Sequence, residues 1–141
     1  MNILLAVDGS EVSLHAVRSL IAHARQFRDK PHVHLLHVHP PMPIGLATHP
    51  LSHDTLENYY REEGESALLV ARQCLLDAEV PYTPHIHVGQ PAEIIVKLAR
   101  ELGCGLICMG SHGHGALQNA MLGSVAAKVL HLAEVPVMLV K

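Results

Sequence analysis

Short aliphatic and β-branched runs alternate with longer stretches of helical periodicity along this chain, and few architectures accept that pattern. Residues 3–7 read as a buried strand. From Ser10, a natural N-cap ahead of Glu11, apolar residues recur at three- and four-residue spacing through Val17, Leu20, Ile21, Ala24 and Phe27. Residues 33–38 form the second predicted strand, followed by an irregular loop punctuated by Pro40, Pro41, Pro43, Gly45 and Pro50. A long helix is predicted over 52–78, beginning near Ser52, with Ala67, Val70, Ala71, Cys74, Leu75 and Ala78 on its apolar face. The third strand, 82–88, contains Pro84, which has no N–H to give a sheet ladder and therefore belongs at an edge. Pro91 opens the next helix in the favoured first-turn position, with Ile95, Leu98, Ala99 and Leu102 on one side. Residues 105–109 make the fourth strand. The last helix carries Leu122, Val125, Ala126, Val129 and Ala133, and residues 137–140 close the chain as a fifth strand after Pro136.

The economical solution is an α/β fold: a single doubly wound, Rossmann-like, five-stranded parallel sheet with helices on both faces. Right-handed crossovers, with strand three at an edge, select the order 3-2-1-4-5. The winding then reverses between strands one and four. Ligands of such sheets bind outside the carboxyl ends of the strands at that reversal, which points to Asp8 and Gly110 before any motif is considered. A length of 141 residues suits one domain, 1–141, and no linker or tandem repeat divides it.

Composition narrows the function. Hydrophobic residues make up 49% of the chain and aromatics only 3%, so the core is aliphatic. Ten Lys and Arg face thirteen Asp and Glu, without a basic stripe, which argues against a nucleic-acid binder. No apolar run reaches the length of a membrane span, and the N-terminus lacks the basic start of a signal peptide. Cys74, Cys104 and Cys108 give no even, secreted-type framework; Cys108 falls inside strand four as a core residue. A cytoplasmic location is expected.

At the predicted reversal stands Gly110-Ser111-His112-Gly113-His114-Gly115, continuing to Gly123-Ser124 where a helix begins. Clustered glycines let backbone N–H groups approach an anion, and a helix N-terminus adds free donors and a positive dipole end. One glycine would suffice to turn the chain; three of them with Gly-Ser favour a phosphate site. Other nucleotide and hydrolase motifs fail. No Gly-Lys pair supplies a Walker A loop, Gly113-His114-Gly115 lacks the third glycine of a dinucleotide fingerprint, and Met109 stands where a nucleophile elbow needs glycine.

The spacing Gly110-x2-Gly113-x9-Gly123-Ser124 resembles the nucleotide-binding signature of the ATP-binding universal stress proteins. Ala6-Val7-Asp8-Gly9-Ser10-Glu11, Leu36-His37-Val38 and Val135-Pro136-Val137-Met138-Leu139-Val140 are similar to the same family, and the resemblance spans essentially the whole chain. It implies the adenine nucleotide alpha hydrolase-like variant of the fold. It also implies a role for each matching position. Asp8 would accept a hydrogen bond from the ribose, with Ala6 beside it. Val38 would meet the adenine, and Met109 and Gly110 would border base and sugar. Gly113, Gly123, Ser124 and Val125 would hold the phosphates of ATP, with a divalent ion, Mg2+ or Mn2+, between them. The family also implies a homodimer through the last strand, which would cover an aliphatic edge. One departure stands out: His114 occupies a position where the family often has arginine, and Gln118 and Asn119 replace basic residues. Weaker or pH-dependent ATP binding is expected from that change.

No general base is placed against an attacking water, so the expected role is a nucleotide-responsive regulatory module in stress adaptation, with at most slow ATP hydrolysis. Two alternatives remain. One is a nucleotide-free, dimeric interaction module of the same family. The other is a metal-binding protein built on the histidines, of which there are thirteen, eight in the pairs His32/His34, His37/His39, His85/His87 and His112/His114. Adjacent strands two and three could bring His37 towards His87. No cysteine or carboxylate accompanies these segments, so histidines that pack or meet solvent at strand ends are the favoured reading.

Overall fold

The computed structural model describes residues 1–42, 53–114 and 122–141. Pro43, Gly45, Pro50 and Ser52 of the predicted loop and helix start lie outside these residues, as do Gly115, Gln118 and Asn119. The elements run β1 (Asn2–Ala6), α1 (Glu11–Ala24), β2 (His32–His39), α2 (His53–Asp77), β3 (Tyr82–Val88), α3 (Pro91–Glu101), β4 (Leu106–Gly110), α4 (Ser124–Leu132) and β5 (Val137–Val140). All five strands pair in parallel, in the order β3-β2-β1-β4-β5.

Strand alternation divides the core between the two faces. Ile3, Leu5 and Val7 of β1 and its exit point to one side, where Leu14, Val17 and Leu20 of α1 and Leu68, Ala71 and Leu75 of α2 cover them. Leu4 points to the other, with Leu36, Ile107 and Met109, under Ile95, Leu98 and Ala99 of α3 and Ala126 and Val129 of α4. Burying an aliphatic side chain stabilises by about 1.5–3 kcal/mol, so two such layers hold the sheet, with Phe27 and Tyr82 packed only partly buried against the first. Cys108 lies at the centre, and burial pushes its thiol up to about 12. Pro84 sits on β3, an edge strand, as its missing N–H demands.

Three details differ from the sequence-based expectation. β1 and β4 are each displaced by one residue, β1 ending at Ala6 and β4 running on to Gly110. Val7 nevertheless still donates its N–H to Leu36 O at 2.9 Å. The inward face of α2 is Gly64, Leu68, Ala71 and Leu75, whereas Val70 is 47% exposed. Leu122 lies ahead of α4 and is exposed.

Gly64 explains how α2 settles so close to the sheet. A Cβ there would stand 2.5 Å from Ile86 Cγ2 on β3, so only glycine admits this approach. Gly64→Ala is expected to destabilise the protein by about 1–3 kcal/mol through overpacking. In an Ile86→Ala background the same change should instead stabilise by up to about 1 kcal/mol, because alanine is the better helix former. Urea denaturation of the four proteins checks the reversal of sign.

Candidate functional site

The β1–β4 pairing sets Ala6 opposite Met109, so the chain leaves the two strands side by side at one end of the sheet. A cavity of about 710 Å³ opens there. Within it stand Ala6, Asp8, Val38, Met109 and Gly110 from the strand ends, and Gly113, His114, Gly123, Ser124 and Val125 from the loop and α4. Each residue singled out in the sequence therefore lines this one space. Its volume suits a small organic ligand.

Local chemistry shapes the first wall. Gly9 turns the chain with φ +81°, in the left-handed region that favours glycine. Ser10 then caps α1, its Oγ accepting from Ser13 N at 3.2 Å. The buried Ser13 hydroxyl donates to Ser10 O at 2.9 Å and accepts from Asp8 N at 3.4 Å. Asp8 is thereby held from its own backbone, and its Oδ1 accepts from Ser10 N at 2.9 Å.

The glycine loop closes against that carboxylate. His114 N donates to Asp8 Oδ2 at 3.2 Å, and His114 Nε2 hydrogen-bonds the Asp8 carbonyl at 2.9 Å. Gly113 passes so near that a Cβ would collide with Asp8 Oδ2. Further on, Gly123 N donates to Ser111 O at 2.7 Å, and a Cβ on Gly123 would stand 2.9 Å from His112 Cα. This contact ties the start of α4 to the end of β4. α4 opens on Gly123 without a side-chain cap, leaving its first turn for an anion or water to satisfy.

Electrostatics fit the same picture. Burial raises the Asp8 pKa, but hydrogen bonds from Ser10, from the His114 backbone and from Ser13 outweigh it, and the net shift is downward from 3.8. Among the described lining residues there is no lysine or arginine. Backbone N–H groups and one helix terminus therefore supply the positive potential for an anion.

Sequence reasoning missed the contribution of α2. Glu63, Ser66 and Ala67 also line the cavity, although the sequence marks only Ala67, as part of an apolar helix face. No local pattern marks the other two; the fit of Gly64 against Ile86 brings that helix turn to the rim. The histidine pairs resolve differently from expectation too. His37 lies opposite Ile86, not His87, and its Nδ1–H donates to Val7 O at 2.9 Å. The close pair is His34 and His85. Among the described residues, no group of three or more His, Cys, Asp or Glu is placed to hold a metal ion, and no helix is long and apolar enough to cross a membrane.

A doubly wound parallel sheet with a glycine-lined crevice at its winding reversal defines a protein of the Rossmann-like α/β class. The comparisons make this specific: the chain matches the universal stress protein family over residues 1–141 and belongs to it. It is 33% identical over 141 residues to the universal stress protein MJ0531 of Methanocaldococcus jannaschii, covering 99% of this chain and 81% of that protein. The solved structure of protein MJ0577 from the same organism superposes with a TM-score of 0.85 at 32% identity, over 99% of this chain and 94% of that one. A universal stress protein of Archaeoglobus fulgidus, solved in complex with dAMP, shares the fold with a TM-score of 0.68 at 24% identity, over 100% of this chain and 98% of that one.

The lowered Asp8 pKa is a stability statement. Because the folded pKa lies below the unfolded one, the contribution is fully present above 3.8 and is lost as pH falls through the folded value. Wild type is expected to exceed Asp8→Asn in stability at pH 7 by on the order of 1 kcal/mol, the difference between charged and neutral acceptors. The gap should close as pH is lowered below 3.8, which urea midpoints measured down the pH scale will show.

Proposed function

We propose that this chain is an ATP-binding universal stress protein, a regulatory module whose contacts respond to the nucleotide. The observation that carries this reading is the convergence of Asp8, Val38, Met109, Gly110, Gly113, Gly123 and Ser124 on one cavity at the winding reversal. In this reading Asp8 Oδ2 exchanges the His114 N–H for a ribose hydroxyl. Val38 and Met109, half-buried and buried respectively, flank the base with apolar surface and backbone groups. Ala6 fills the floor between them. The first turn of α4, with Ser124 and Val125, and the close-packed glycines receive the phosphates. Mg2+ or Mn2+ would enter with the nucleotide, held mainly by phosphate oxygens and water, as is usual for Mg2+. The dAMP held by the Archaeoglobus fulgidus protein supports an adenine nucleotide as the ligand class.

A homodimer through β5 belongs to the same reading. This strand is a sheet edge whose residues Val137, Met138, Leu139 and Val140 are only half-buried. Sedimentation equilibrium should give twice the chain mass, and Leu139→Lys should shift the population towards monomer. A cytoplasmic setting is supported by the cysteines, all unpaired.

One observation favours the nucleotide-free interaction module: the described wall lacks a permanent cation, and His114 already engages Asp8. Calorimetric titration of ATP with magnesium decides between the two. Saturable binding is expected, lost in Gly113→Val, whose side chain would displace Asp8. Binding should tighten about tenfold in His114→Arg, the worth of one charge-assisted contact to phosphate. A well-folded wild type that binds no nucleotide from pH 6 to pH 8 would leave the interaction module as the function.

A further inference from the structure

The His32/His34 pair of β2 and the His85/His87 pair of β3 meet towards the sheet edge, and none of the four lines the nucleotide-type cavity. Alternation places His32 and His34 on the same side as Leu36, and the register sets Leu36 opposite His85 and Val38 opposite His87. A row of imidazoles results. Ring centroids lie 5.0 Å apart for His32 and His34, 5.2 Å for His34 and His85, and 6.4 Å for His85 and His87. His32 Nε2 is engaged by Thr83 Oγ1 at 2.8 Å. His34 Nδ1 and His85 Nε2 face each other at 3.0 Å.

We propose that His34 and His85 form a two-nitrogen site for a divalent first-row ion of tetragonal preference, Cu2+ or Ni2+, with water in the remaining positions. The spacing is the first reason. Two imidazole nitrogens bound at about 2.1 Å and at right angles stand about 3.0 Å apart, whereas the tetrahedral angle of zinc separates them by about 3.4 Å. The scaffold is the second. Both rings rise from adjacent hydrogen-bonded strands, and His34 is only 9% exposed, so little side-chain freedom remains to be lost on binding.

The donor set is also selective. No third His, Cys, Asp or Glu completes the group among the described residues, which disfavours a closed structural zinc site. Two cis imidazoles with water suit an ion that binds nitrogen strongly, and copper stands highest in that order. Binding needs no net proton exchange. The proton shared along the His34–His85 hydrogen bond moves, through solvent, to the other nitrogen of the ring that carried it. Both lone pairs then turn towards the ion.

The test uses the whole chain, without a histidine tag and stripped of metal. Titration with Cu2+ and, separately, Ni2+ is expected to give one saturable equivalent, lost in His85→Gln and kept in His131→Gln, which alters an exposed histidine of α4. In wild type, substoichiometric Cu2+ should broaden amide signals of residues 32–36 and 83–87 before any others. That spectrum stands whether or not His85→Gln folds. Absence of saturable binding would overturn the site, leaving the pair as a hydrogen bond alone. So would broadening that starts elsewhere, or an equivalent that survives in folded His85→Gln.

Discussion

The parallel pairing of β1 with β4 is the contact on which the rest of the molecule depends. It joins residues about a hundred positions apart in sequence, setting Ile3 against Leu106 and Ala6 against Met109. Without it the two halves of the sheet, β3-β2-β1 and β4-β5, would share no ladder. Because the winding reverses here, the connections from β1 and β4 leave towards opposite faces and cannot fill the space between them. The cavity is thus a geometric consequence of closing the sheet. The buried strip Ile3, Leu4, Leu5 facing Ile107 and Cys108 holds this seam, and all five side chains are fully removed from water.

Asp8 converts the seam into a site. One carboxylate accepts from the turn that starts α1 and from the loop that follows β4, so it links the two halves a second time, at the rim. Each oxygen of the carboxylate accepts one backbone N–H, from Ser10 and from His114, so acceptor capacity remains on both. The Ser10 N–H is fixed by the helix cap beside it, whereas the His114 N–H belongs to the loop, so changes at position 114 act on how that loop is held to the seam.

The legibility of this protein in its sequence follows the range of the forces involved. Strand order was readable because Pro84 excludes β3 from the interior and because alternation dictates parallel pairing. Asp8 and Gly110 were readable from the winding reversal, and Gly113 and Gly123 from their clustering, whereas Ala6, Val38, Met109 and Val125 were placed only by the family resemblance. The rotation of α2 was not. Val70 and Leu68 are equally apolar, and a 25-residue helix offers more than one apolar stripe; the choice is made by Gly64 meeting Ile86 across the chain. Which histidines meet across β2 and β3 was hidden for a related reason. Both faces of β2 carry imidazoles, and which one finds a partner on β3 depends on a register that no local pattern encodes.

The cavity's shortage of cations has a consequence for how it can hold an anion. No lysine or arginine occurs between Arg100 and Lys128, and Lys128, the one on α4, is committed to Glu93 at 2.6 Å. Attraction must then come from oriented N–H groups, which act over short distances, instead of from mobile charges that act through solvent. Such a site gains little long-range steering and discriminates chiefly by fit. An anion received here would respond less to added salt than one in an arginine-lined pocket, and would depend on how accurately the glycines seat against Asp8 and His112.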